Sequence, residues 1–240
     1  MAFVHGSREK ILWNSVDLSP YSKGLDLEPS VDTAEVSTFG LSSKTYITGL
    51  KDAKVSLEGI LDGAATGNDA RLFTDLAALA TAGLIGTSFP QGDALGNFGY
   101  AFKAYDVSMK VSTPVADVSQ LTTSFQVTGG VERVVSEHAF AADAGIFTGT
   151  SIDNAASSAT GGVGYIQADG GGAGATTETW KIQHSVDNVT WVDLVTFSAL
   201  TDNVRSAERL TAAGTVNRYT RALSSAGTNG AKVQAAFGRT

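Results

Sequence analysis

Apolar and polar residues alternate through Lys51–Gly63 ("KDAKVSLEGILDG"), with Val55, Leu57 and Leu61 at one parity and Lys54, Ser56 and Glu58 at the other. A two-residue period predicts a strand with one buried face. The preceding run, Val31–Thr48, is polar and β-prone without a core pattern, so the chain offers no evident partner for it. The opening segment "ILWNSVDLSPYSKGLDLEPS" reads as a strand through Trp13, a Ser-Pro turn, and a second strand ending at Glu28-Pro29, because proline marks edges and turns. One stretch follows a 3.6-residue period. Leu72, Phe73, Leu76, Leu79 and Ala80 recur within Thr66–Gly83, which predicts a helix over about 68–83. Asn68 is placed to cap it, Asp69 suits its positive end, and Gly83 suits a left-handed stop.

Beyond the helix, Phe98, Tyr100, Phe102 and Ala104 share one parity, whereas Tyr105, Val107, Met109 and Val111 take the other. That change of phase predicts a bulge near Ala104. Leu121, Thr123, Phe125 and Val127 continue the β pattern. From about Ser136 the chain turns small, polar and glycine-rich ("GTSIDNAASSATGGVGYIQADGGGAGATTE") and reads as a linker with surface loops. Short β-like runs then return at even spacing: "TWKIQHSV", "TWVDLVTF", "NVRSAERL", "TVNRYTRAL" and "AKVQAAFGR". The fold class expected is mainly β. A β-sandwich or barrel with one flanking helix occupies 1–137, and 138–240 is a linker followed by an Ig-like or jelly-roll β-sandwich.

Charge narrows the partners. The net charge is −7, made of −5 from residues 1–135 and −2 from 136–240, and no cluster of Lys and Arg stands ready to neutralise phosphates. Specific grip on nucleic acid is therefore not expected. Only 17% of the 240 residues are charged, while 27 are glycine, a composition of many turns with surface left for partners. There is no cysteine, which excludes disulfides and thiolate chemistry. The N-terminus has no apolar leader pattern, and Leu72–Phe89 falls short of a membrane span. Synthesis and assembly in the cytoplasm, with no membrane partner, are the expectation.

Candidate chemistry is sparse. His5, His138 and His184 lie far apart and none is near another metal-ligand type, so no metal site is expected. "GGGAGATT" lacks the Lys-Ser/Thr of a phosphate-binding loop, and no nucleophile elbow or spaced carboxylate pair occurs. No catalytic residue, cofactor or enzymatic activity is assigned. "HSVDNVTW", His184–Thr190 with Trp191, has two readings. It resembles the Asp-box of sialidases, one residue short and without the usual glycine. It also suits a tight hairpin turn at Asp187-Asn188, with Trp180 and Trp191 as core on the adjoining strands. Asn188 opens a formal glycosylation sequon, expected to stay unmodified in the cytoplasm.

The order "DTAEVSTFG", a polar stretch, "YITGLKDAKVSLEG" and a short helix, across about residues 1–135, resembles the major tail (tail tube) proteins of long, flexible-tailed bacteriophages. The C-terminal string "W…IQHSVDNVTWVDLVTF" through "FGR" looks like a β module appended to such proteins. The resemblance implies a virion structural protein whose subunits close into rings, commonly hexamers, and stack into a tail tube. Double-stranded DNA and the tape-measure protein pass through such tubes, and the tail tip or baseplate and the tail terminator bound them. It also implies that Val31–Thr48 reaches neighbouring copies. On that segment Asp32 and Glu35 lie on the entering arm, Lys44 on the leaving arm, and Val36, Phe39 and Tyr46 supply apolar contact surface. Opposite charges at two ends suit head-to-tail contacts; an intramolecular hairpin with solvated charges is the alternative. Two other classes stay open: a tail-terminator or capsid-surface protein with a related fold, and a glycan-binding or decoration module that stacks sugars on Trp180 or Trp191.

Overall fold

The computed structural model describes residues 6–39, 42–64, 66–78, 83–142, 145–170, 177–201, 204–225 and 230–240. Strands follow in the order β1 (Lys10–Trp13), β2 (Val16–Asp17), β3 (Ser22–Glu35) and β4 (Tyr46–Ile60). Helix α1 (Asn68–Ala77) precedes β5 (Leu84–Phe89), β6 (Phe98–Ser112) and β7 (Gln120–Ala142). Then come β8 (Ile152–Asp153), β9 (Gly162–Ala168), β10 (Trp180–Ser185), β11 (Val192–Thr196), β12 (Ser206–Ala212), β13 (Tyr219–Ser224) and β14 (Lys232–Arg239). The chain divides into two compact units, one of residues 1–19, 84–101 and 132–240, the other of 20–83 and 102–131. This division does not follow the 137/138 boundary expected from composition. β6 and β7 each contribute residues to both units, so the change of composition near Ser136 falls inside a strand.

The larger unit explains why some of its strands are buried on both faces. Its main sheet runs β12-β9-β14-β7-β6-β5-β1-β2, and a second sheet runs β11-β10-β13-β8. Ile166, Ala168, Val233, Ala235 and Phe237 pack with Trp180, Ile182, Val195 and Ala222 of the second sheet. The opposite parity, Val163, Tyr165 and Ala236, packs with Ile85, Phe89 and Ala101. β9 and β14 therefore form a middle layer. Polar residues close the second gap: the Ser15 N–H donates to Gln167 Oε1 (2.8 Å), Gln167 Nε2 to Thr87 Oγ1 (2.8 Å), and Thr87 Oγ1 to Gln234 Oε1 (2.7 Å). Ser15, Gln167, Thr87 and Gln234 thus satisfy one another, the condition for tolerating buried polar groups.

β9 overturns the linker reading. Gly162–Ala168 is buried at every position, between β12 and β14 in the sheet, because its glycines admit close neighbours. A Cβ on Gly162 would lie 2.4 Å from Phe237 Cζ and 2.5 Å from the Gly238 carbonyl oxygen. Low side-chain volume here marks tight packing. Likewise 138–142 belong to β7, where His138 is buried with Nδ1 2.7 Å from the Val233 carbonyl. Ile152–Asp153 pairs with β13.

The smaller unit holds β3, β4, α1 and the adjoining parts of β6 and β7. Ala53, Val55 and Leu57 are buried on β4, and Leu121, Thr123, Phe125 and Val127 on β7, with Val55 opposite Phe125 and Leu57 opposite Thr123. The alternation expected for both strands is present. α1 is shorter than the expected span, and 79–82 lie outside the described residues. Gly67, not Asn68, occupies the cap position. Asn68 is buried as the first helical residue; it accepts from the Asp62 N–H (2.9 Å) and donates to the Ile60 carbonyl (2.8 Å), tying the helix to the end of β4. Gly83 has φ +66°, a conformation suited to glycine, but it is not the helix stop expected of it, because the helix is capped at Ala78. On β6 the buried parity changes between Ala101 and Phe102, three residues before the bulge expected near Ala104.

Candidate subunit interface

Val31–Thr48 forms the outer half of a two-stranded antiparallel arm. β3 and β4 pair from Ser22↔Gly59 out to Glu35↔Tyr46, and the Val36 N–H donates to the Thr45 carbonyl (2.8 Å). β3 continues past Glu28-Pro29, where a strand end was expected. Proline is tolerated in this strand because β3 pairs with β4 alone among the described strands. Every described residue from Glu28 to Asp52 is exposed, whereas Ala53, Val55 and Leu57 beyond it are buried. The hairpin thus leaves its own core at Asp52 and projects into solvent.

The arm is not polar in effect. Val31, Val36, Phe39, Tyr46, Ile47 and Leu50 are all exposed; Phe39 is bare and Leu50 is 80% exposed. The register is offset where Val31↔Lys51 gives way to Thr33↔Thr48, so β4 spends one more residue than β3 at this point. The extra residue reverses the parity of β4, placing Tyr46 and Thr48 on the face that continues Ala53 and Val55, with Ile47 on the other. Asp32 lies at the offset, where a Cβ on Gly49 would meet its own Cβ at 3.1 Å. Both faces carry apolar side chains, a pattern the sequence masked because alternation breaks at the bulge.

The charges sit differently from the two-ended polarity expected. Lys44 Nζ donates to Glu35 Oε2 at 2.9 Å across the tip, and Lys54 is paired in register with Glu28. Acidic and basic arms lie side by side in one hairpin, so these charges face each other within the copy. The exposed Glu35–Lys44 pair is worth well under about 1 kcal/mol. Among the six residues singled out from the sequence, Val36, Phe39 and Tyr46 are left as the exposed apolar ones, and Asp32 stands at the bulge.

The remaining candidates resolve as follows. Trp180 is 1% exposed and stacks on Phe147 at 5.5 Å, which excludes it as a sugar platform. Trp191 is half-exposed, not core, and the Arg221 guanidinium lies 4.1 Å from its ring centre. The Asp187 turn is self-contained: Asp187 Oδ1 accepts from the N–H groups of Val189 (2.9 Å) and Thr190 (2.7 Å) and from the Ser185 hydroxyl (2.9 Å). These bonds hold its carboxyl down to about 2, and Asn188 takes φ +61°. His184 is half-buried and its Nδ1 accepts from the Asn217 N–H at 3.1 Å; burial, then nearby Arg239, lowers its pKa. His5 and most of "GGGAGATT" lie outside the described residues. Among the described residues no group of three or more His, Asp or Glu could hold a metal, and no helix is long and apolar enough to cross a membrane.

No family model matches the chain, and no curated protein matches it. Solved structures do. A chain from the virion of a native gene transfer agent particle aligns at 12% identity and TM-score 0.43, over 54% of this chain and 97% of that one. The SPP1 tail tube aligns at 12% identity and TM-score 0.44, over 55% and 78%. The SPP1 Dit protein, of a hub adsorption apparatus, aligns at 12% identity and TM-score 0.37, over 96% and 98%.

Proposed function

We propose that the chain is a non-enzymatic virion subunit that closes into rings, six copies to a ring, and stacks them into a phage tail tube. The arm carries this reading: every described residue from Glu28 to Asp52 is exposed, with six large apolar side chains among them. A lone two-stranded hairpin is marginal in water, and exposed apolar side chains in such a cluster mark a contact surface. The sequence resemblance across residues 1–135 names the partner as another copy. In the smaller unit β3 is an edge strand with one free side. An exposed edge invites strand addition, and a closed ring removes the hazard by pairing each edge with a different edge of the next copy.

In the assembled tube the arm of one subunit is covered by neighbours in its own and adjacent rings, and the tail tip, tape measure and terminator bound the structure. DNA passes without being held, in keeping with a chain of net charge −7. Electron microscopy of the purified full chain tests the assignment. Rings and tubes are expected from the parent, and folded monomers from a variant lacking residues 37–44. Normal tubes from that deletion refute the role given to the arm; failure of the parent to form rings refutes the tube.

A further inference from the structure

One face of the second sheet carries polar and aromatic side chains to which the arm's proposed role gives no part. On β13, Thr220, Ala222 and Ser224 are buried, which puts Tyr219, Arg221 and Leu223 on the opposite face. β10 sets Ser185, Gln183 and Lys181 directly opposite those three, and β11 sets Asp193 opposite Gln183. Most charges here are neutralised locally. Lys181 Nζ lies 2.5 Å from Asp193 Oδ2, and Arg218 makes two 2.6 Å bonds to Asp153. Arg221 differs: its Nε and Nη2 donate to the neutral Gln183 Oε1 at 3.0 and 2.9 Å. No carboxylate among the described residues pairs with it.

That cation lies over one face of the Trp191 ring, 4.1 Å from its centre. Trp191 is half-exposed, whereas Trp13 and Trp180 are buried. Trp191 follows directly on the turn that Asp187 fixes through Ser185, Val189 and Thr190, so its backbone is positioned before any ligand arrives. Preorganisation of this kind lowers the entropic cost of binding. Tyr219 shares the face two residues along β13, under Arg218 at 5.0 Å.

We propose that Arg221 and Trp191 form a binding site for an acidic saccharide, a sugar bearing a carboxylate or phosphate group. A guanidinium without a counter-ion offers planar, paired donors to such a group. With Arg221 on one face of the indole, the opposite apolar face and the polar edge are what it offers to the sugar ring. Gln183 is buried and holds Arg221 and Asp193 in place, and the partly exposed Lys181–Asp193 pair edges the site, polar chemistry that suits hydroxyls better than the apolar anchors of a peptide.

The test uses the full chain titrated with trigalacturonic acid, glucose 1-phosphate, maltotriose, inorganic phosphate and a short poly-glutamate. Indole fluorescence and calorimetry are the readouts, since Trp191 is the half-exposed tryptophan. Either acidic sugar is expected to shift the emission and shield the indole from acrylamide, and R221Q is expected to weaken binding at least tenfold with an unchanged circular dichroism spectrum. R221K, which keeps charge without the planar fork, should fall between. Should R221Q fail to fold, acrylamide shielding in the parent and calorimetry on W191F decide the matter, with W191F expected to bind more weakly. The proposal is overturned if neither acidic sugar binds, or if binding survives R221Q. Equal binding of maltotriose, inorganic phosphate or poly-glutamate also overturns it.

Discussion

Replacing Glu137 with Gln should change how the protein's stability depends on pH. Glu137 is fully buried on β7; its Oε1 accepts the Thr220 hydroxyl at 2.6 Å, and its Oε2 has no partner among the described residues. Two groups bear on it from the packed strands: Thr220 on β13, and Arg239 on β14, which spends its terminal nitrogens on the carbonyls of Ala156, Asn217 and Arg218. Burial pushes the carboxyl up from 4.5 to about 7, against the opposing pull of Thr220 and Arg239. A raised folded-state pKa means the folded state holds the proton more tightly. Its stabilisation is complete below pH 4.5 and is lost as pH rises through 7. At about 1.4 kcal/mol per unit, the whole effect is about 3 kcal/mol, of which roughly 2 to 3 kcal/mol falls between pH 5 and 9. Gln imitates the protonated acid at every pH. Urea unfolding of parent and variant at pH 5, 7 and 9 should show the variant gaining by that amount as pH rises. A parent-to-variant difference that stays constant, or shrinks, would refute the reasoning.

Other changes have equally definite outcomes. Gly162→Ala forces a Cβ against Phe237 and the Gly238 carbonyl, and should cost about 1–3 kcal/mol or more, read as a fall in the thermal midpoint. Asp187→Ala releases the turn before Trp191, so near-ultraviolet circular dichroism should weaken and the melting point drop. In the parent that turn's contribution is present above pH 3.8 and lost as pH falls toward 2, because the folded carboxyl is held at about 2. Asp106→Asn should raise stability above pH 6: burial, with a smaller push from Asp75, lifts the Asp106 carboxyl to about 6, and its favourable proton is lost as pH climbs through that value. Unfolding curves on either side of pH 6 check the sign.

Alternation found the strands that have one wet face. Val55 and Leu57 on β4, the odd positions from Leu121 to Val127 on β7, and Ile182 on β10 sit where the pattern puts them. It failed at β9, where both faces are covered and the sequence economises on side-chain volume; glycine that reads as loop is there the result of close packing. It failed again on the arm, because one extra residue in β4 turns Tyr46 and Ile47 onto faces that simple parity does not foresee. Asn68 fitted a cap by residue type, yet its side chain was needed at Ile60 and Asp62. The unit boundary was hidden because β6 and β7 run through it as continuous strands, although Gly129 and Gly130, both at positive φ, stand beside the division at Val131/Glu132 where β7 changes neighbours. Of the candidate interface residues, Phe39 and Tyr46 were legible as apolar side chains without a core; the pairing of Glu35 with Lys44 was not, since it depends on the hairpin closing on itself.

The most direct test of the central claim is what touches Phe39. The chain has no cysteine, so Phe39→Cys provides a single thiol for a benzophenone maleimide, and illumination of the labelled full chain traps whatever covers the arm. A ladder of covalent oligomers, each cross-link joining the arm of one copy to a different surface of the next, is the result expected of a subunit completed by its neighbour. Cross-links confined to single chains, at concentrations where assembled rings are visible by electron microscopy, would contradict it.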